Sequence, residues 1–266
     1  MTDVDRNGPE AGQSGWARRW IRHPIPARLW GWARRHFDNL LALGGVLLAI
    51  GLALAVAALW AMSQLADSVL EGETLRFDEA ILHGISDWTS PRRDILALDI
   101  TALGGGTVVL AVAVISATLL AVLGRRWYAL LICAAVSGGW MLGPVLKILF
   151  DRPRPQVVEW RTPHAGHASF PSGHATMAMV LYVTLAYVVH RLGNRHWVSV
   201  VAWSVAALLV TMIGVTRLYL GVHYPSDVLA GYAVGFAWAM FCAAGVEILA
   251  LRAGRGKGGE ERVTGG

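Results

Sequence analysis

Long apolar runs broken by short polar clusters set the first picture of this chain. Six stretches are long or apolar enough to suggest membrane helices. They lie at Leu40–Ser63, Thr101–Leu123, Trp127–Phe150, Ala175–Val189, Val198–Val215 and Val228–Leu251. A bilayer core about 30 Å thick needs roughly 20 such residues in a helix. The fourth run is short by that measure, and His174 stands at its mouth. The pattern predicts an all-α integral membrane protein with six transmembrane helices. No internal repeat divides it, so three regions are expected. Residues 1–38 form a tail with a basic, Trp-bearing interfacial segment, 39–252 the six-span domain, and 253–266 a flexible tail.

Composition supports the bilayer reading. The 266 residues are 55% hydrophobic and only 15% charged, too little polar surface for a soluble domain of this size. The net charge of +5 does not point to a nucleic-acid partner, because the basic residues sit in clusters beside apolar runs. Arg18, Arg19, Arg34 and Arg35 precede the first run, Arg125 and Arg126 follow the second, Arg191 and Arg195 the fourth, and Arg252 and Arg255 the last. Alternating spans place all of these on one side, which the positive-inside rule makes cytoplasmic. Both termini are then inside. Loops 64–100, 151–173 and 216–227 face outward, the first strongly acidic and with room for an interfacial helix around Asp78–Trp88. "ALAVAA" in the first run resembles a cleavage site, but that run is too long for an ordinary signal peptide. Trp127 and Trp197 suit the inner interfacial belt, Trp60 and Trp160 the outer one. Cys133 and Cys242 read as small buried residues, and Gly231 with Gly235 as a close-packing GxxxG pair.

The outward loops hold three polar islands. "KILFDRPRP" puts Lys147 at a helix end, and Pro153 and Pro155 then force the chain out of helix, presenting Arg152 and Arg154. Alone, such cations would be read as snorkelling to headgroups. "PSGH" offers Ser172 as an N-cap and Gly173 for close backbone approach. Free amides and the positive end of a helix would then lie beside His174. "TRLYLGVHYPSD" supplies Arg217, His223 and Asp227, the last of these near a helix start where a carboxylate is favoured in any case. Together the islands bring three fixed cations, two imidazoles and one carboxylate to one membrane face, an inventory suited to a phosphate group.

In order and spacing these islands resemble the three-part signature of the type 2 phosphatidic acid phosphatase (PAP2) superfamily: K-x6-R-P, P-S-G-H and S-R-x5-H-x3-D. The chain carries Lys147…Arg154-Pro155, Pro171-Ser172-Gly173-His174 and Thr216-Arg217…His223…Asp227, with Thr216 in place of the serine. The resemblance implies a PAP2-type helical bundle and a bacterial membrane lipid phosphatase working through a phosphohistidine. His223 would be the nucleophile, Asp227 its orienting carboxylate and His174 the general acid and base. Lys147, Arg154, Ser172, Gly173 and Arg217 would hold the phosphate. No metal or other cofactor is implied. The implied substrate is a lipid phosphate or diphosphate of the undecaprenyl diphosphate, phosphatidic acid or phosphatidylglycerol phosphate class.

Other readings are weighed on the same residues. His164, His167 and His174 with Asp151 could suggest a metal site, but their spacing matches no familiar ligand set. A non-catalytic lipid-phosphate binder or transporter would be expected to have lost a motif residue, and none is missing. Phosphoryl transfer to a second lipid would use the same intermediate, and the sequence does not separate it from hydrolysis. Soluble vanadate-dependent haloperoxidases share the pocket, but six spans argue against them. The oligomeric state is unreadable.

Overall fold

The computed structural model describes residues 49, 51–162 and 166–263, with side chains described as far as 250. The basic N-terminal segment and His164 lie outside the described residues. Among these residues the chain is helical apart from loops and one isolated bridge between Pro153 and Ala168. The helices are α1 (Gly51–Leu70), α2 (Leu75–Ser86), α3 (Pro91–Ala102), α4 (Gly106–Val122), α5 (Arg126–Phe150), α6 (Gly173–Leu192), α7 (His196–Tyr219) and α8 (Pro225–Val263).

Five helices are long and apolar enough to cross a membrane, and α3 with α4 makes a sixth, broken span. The architecture is that of a multi-pass membrane protein. Boundaries differ from the sequence reading in instructive ways. The first span continues to Leu70 rather than ending at Ser63, so Trp60 lies midway along it instead of at its outer end. The second span, expected to start at Thr101, is interrupted by Leu103–Gly105, and the two helices meet at 40°. Three glycines at 104–106 explain the break, since glycine weakens helix interiors. The fourth span is full length: its helix begins at Gly173, which places His174 inside the first turn. Loop 64–100 carries two helices, α2 over the expected segment and α3 beyond it. The backbone of α8 stays helical to Val263, so the expected flexible tail begins as a continuation of that helix. Extending a formed helix costs less than nucleating one.

α6 is the packing centre, with Ala178, Val180 and Leu181 inaccessible. Its face against α8 depends on Gly231 and Gly235. A Cβ at Gly231 would stand 2.8 Å from the Ser172 carbonyl, and one at Gly235 2.6 Å from that of Thr176. The GxxxG pair therefore lets two backbones touch, as its spacing suggests. Leu131, Ile132 and Val136 of α5 join Val109 of α4 in one cluster with Met177, Val180, Leu181 and Val188 of α6. Large apolar side chains such as Val122, Ile148 and Met141 point outward, as lipid-facing positions do when the solvent is hydrocarbon. Cys133 shares that outer face and only Cys242 is buried, which corrects the reading of both as core. Trp160 is held by local contacts. Its indole N–H donates to the Pro155 carbonyl, and its ring packs on Ala97, Leu220 and Val222.

Candidate active site

Four helix ends meet at one end of the bundle, and each supplies part of the site. α5 ends where Asp151 turns left-handed at φ 36°, with its N–H on the Lys147 carbonyl. Aspartate tolerates that conformation better than most residues. The proline-stiffened segment then directs the side chains of Arg152 and Arg154 inward, and both are buried. α7 ends at Tyr219, and Gly221 at φ 73° turns the chain so that His223 enters the interior. A side chain at 221 would collide with the Glu159 carbonyl at 2.8 Å. Pro225 opens α8, with Asp227 two residues later and fully buried.

The centre is His223, 2% exposed. Arg154 Nη1 lies 3.3 Å from its Nε2 and donates to the Val222 carbonyl at 2.8 Å. A guanidinium has no acceptor, so that contact requires Nε2 to keep its lone pair. The ring proton then belongs on Nδ1, which faces Asp227 Oδ2 at 3.4 Å. That distance allows electrostatic pairing but not a well-formed hydrogen bond, and Nδ1 has no hydrogen-bond partner among the described residues. Burial, above all, holds the imidazole pKa down at about 4. Asp227 opposes the shift, and Arg217 and Arg154 add to it. His223 is therefore neutral at pH 7, with its Nε2 lone pair unprotonated and facing Arg154. Burial also lowers the Arg154 pKa from its ordinary value, with Asp227 acting against it.

The remaining sequence-predicted residues converge on this ring. Lys147, half-buried on the last turn of α5, lies within electrostatic reach of Arg154, Asp227 and Arg217. His174 is within reach of Arg217, His223, Lys147 and Arg154. Arg217 donates from Nη1 to the Thr101 hydroxyl at 3.2 Å, at the broken second span. Its Nε and the Ser172 hydroxyl are buried without a hydrogen-bond partner among the described residues. Such groups are costly unless a ligand satisfies them. One expectation needs correction. The Ser172 amide is not free, because it donates to the Asp227 carbonyl at 2.9 Å. It ties the start of α6 to α8, leaving only the hydroxyl of Ser172 for a ligand. A Cβ at Gly173 would meet nothing within 4 Å, so the backbone there borders open space.

The family model of the PAP2 superfamily matches residues 126–248, a range that holds every sequence-predicted site residue. Phosphatidylglycerophosphatase B of Bacillus subtilis is 30% identical over 159 residues, 59% of this chain and 77% of that protein. The chain belongs to the PAP2 superfamily. Lipid A 1-phosphatase of Rhizobium etli is 33% identical over 117 residues, covering 41% of this chain and 46% of the relative. In three dimensions the PAP2 fold matches the crystal structure of the PAP2-type phosphatidylglycerolphosphate phosphatase of Bacillus subtilis. The TM-score is 0.67 at 26% identity, over 73% of this chain and 96% of the other.

A PAP2 signature did not mark every residue at this site. Arg152 is as deeply placed as the motif residues, donating from Nη1 to Asp227 Oδ1 at 2.7 Å and from Nη2 to Asp78 Oδ2 at 2.9 Å. Sequence reasoning presented Arg152 as one cation of a stiff segment and counted Asp78 with the acidic outer loop. A clue was present in the amphipathic pattern of α2, where Asp78 shares a face with Leu82, its buried neighbour one turn on.

Proposed function

We propose that this membrane protein hydrolyses a lipid phosphate or diphosphate through a phosphohistidine at His223, on the extracytoplasmic face. The observation that carries the reading is the environment of that imidazole. It is buried and neutral, with a carboxylate facing Nδ1 and a guanidinium at Nε2. When the substrate phosphate sits among Lys147, Arg154 and Arg217, Nε2 attacks phosphorus and the bond to the leaving oxygen breaks. His174 gives that oxygen its proton, releasing a lipid alcohol, or a lipid monophosphate if the substrate is a diphosphate. Asp227 stabilises the positive charge on the phosphorylated ring. Water then attacks phosphorus as His174 takes its proton, the P–N bond breaks, and inorganic phosphate leaves. In both steps the three cations neutralise the equatorial oxygens and the Ser172 hydroxyl donates a hydrogen bond to one of them.

A cavity of about 420 Å³ supports a substrate with a chain attached. Its lining includes Lys147 and His174 together with Gly104, Gly106, Gly143 and Pro144. Undecaprenyl diphosphate, phosphatidic acid and phosphatidylglycerol phosphate all fit this chemistry. The test is phosphate release by purified protein in detergent from each of these lipids, with EDTA present. Release from at least one, abolished in His223→Ala, is expected. Activity in His223→Ala within tenfold of wild type removes the nucleophile assignment. If no phosphate is released, the fate of labelled phosphoryl groups with a second lipid present separates a transferase from a binding protein.

A further inference from the structure

Asp227 is held less by His223 than by groups behind it. Its Oδ1 accepts from Arg152 Nη1 at 2.7 Å and its Oδ2 from the Tyr224 amide at 2.9 Å. Arg152 is itself fixed. Its guanidinium lies 4.2 Å from the centre of the Tyr224 ring, and Nη1 also donates to Ser226 Oγ at 2.7 Å. The far side of the guanidinium ends on Asp78 of α2, which is 1% exposed. Both Asp78 oxygens are satisfied: Oδ1 accepts the Ser226 amide at 3.1 Å, and Oδ2 accepts the Ser226 hydroxyl and Arg152. The carboxylate of α2 therefore reaches the imidazole in three steps, through Arg152 and then Asp227.

Charge gives this chain of contacts its consequence. Asp227 must counter positive charge developing on His223, yet Arg152 places a permanent cation 2.7 Å from the same carboxylate. Left alone, that cation would cancel much of the field Asp227 exerts on the ring. Asp78 supplies a second anion on the opposite side of Arg152, so the three groups carry one net negative charge instead of none. At low local dielectric such a difference is felt strongly across a few ångströms.

From this arrangement, and resting on His223 as nucleophile, we propose that Asp78 is a positioning residue for phosphoryl transfer. It anchors and neutralises Arg152, so that Asp227 is both aimed at His223 and free to stabilise its cationic state. The helix α2, outside the motif-bearing segment, thereby becomes part of the catalytic apparatus.

A purely structural staple and a positioning residue differ in kinetics. Asp78→Asn keeps the size and one of the two acceptor oxygens but removes the charge. Measured on folded protein, with thermal midpoint and size-exclusion profile recorded, it should lower kcat at least tenfold. KM should stay within about twofold, since Lys147, Arg154 and Arg217 are untouched. Glu79→Gln, the neighbouring carboxylate outside the network, should leave both constants unchanged. A kcat for Asp78→Asn within twofold of wild type would overturn the proposal, and so would a rise in KM that accounts for the whole loss. If Asp78→Asn does not fold, Ser226→Ala reads the same coupling by loosening Asp78 without removing charge. A several-fold fall in kcat at constant KM supports the proposal and unchanged kcat overturns it. His223→Ala run alongside keeps the two failures apart. If it is inactive while Asp78→Asn is normal, only the role of Asp78 is lost; if it is active, the nucleophile itself is wrong.

Discussion

At the scale of single residues, burial keeps the His223 imidazole where its cation is disfavoured. The His223 pKa lies at about 4 against an ordinary 6.5, and burial is the largest cause. A nucleophile must be neutral, so the acid limb of kcat/KM assigned to His223 should fall well below pH 6.5 and near 4. The same shift has a sign for stability. Because the folded-state pKa is depressed, stability is fully present above pH 6.5 and is lost as pH falls from 6.5 through 4. Thermal midpoints in detergent should therefore drop over that window in wild type, and drop less in His223→Asn. A His223-dependent acid limb at or above pH 6.5 would contradict the burial argument. The motif residues were legible from sequence because each island is local: Lys147 with Arg154, Ser172 with His174, Arg217 with His223 and Asp227. Asp78 was not, because it meets Ser226 across 148 positions of chain and no spacing rule reaches that far. Nor does any spacing show that the Ser172 amide is already occupied by Asp227.

At the scale of elements, the decisive contact is α6 against α8. It joins the Ser172–His174 turn to the Asp227 turn through one backbone hydrogen bond, and it closes only because Gly231 and Gly235 carry no side chain. Gly235→Leu should push α6 outward, since even a Cβ there would stand 2.6 Å from the Thr176 carbonyl and 2.8 Å from Met179 Cβ. Overpacking of this kind costs about 1–3 kcal/mol. The expected result is a lower thermal midpoint together with a fall in kcat, because the displaced helix carries His174. A variant with wild-type midpoint and activity would show that the close approach is dispensable. The GxxxG spacing made this contact readable in advance. The break in the second span was harder to see, because hydropathy averages over Leu103–Gly106 without registering that three glycines end one helix and start another. That break matters, since Thr101 at the end of α3 holds Arg217.

At the scale of the whole molecule, two ends of one bundle carry different chemistry. Lys147, His174, Arg217 and Asp227 cluster at the end where α5 and α7 finish and α6 and α8 begin. Arg125, Arg126, Arg191 and Arg195 lie at the other. Positive charge retained in the latter loops favours the cytoplasm, which would leave the phosphate site open to the outer leaflet. Order and number of spans were readable from sequence because a bilayer demands long apolar runs, while helix ends depend on caps and packing that hydropathy does not register. The most direct test joins the intermediate to the face on which it forms. Sealed right-side-out vesicles holding the protein are exposed to a ³²P-labelled, short-chain, membrane-impermeant form of whichever of the three lipids releases phosphate in detergent. The reaction is quenched in alkali to preserve phosphohistidine, and the labelled peptide is identified. The account predicts label on His223 in intact vesicles and none in His223→Ala. Label on another residue, or label that appears only after the vesicles are made leaky, would contradict it.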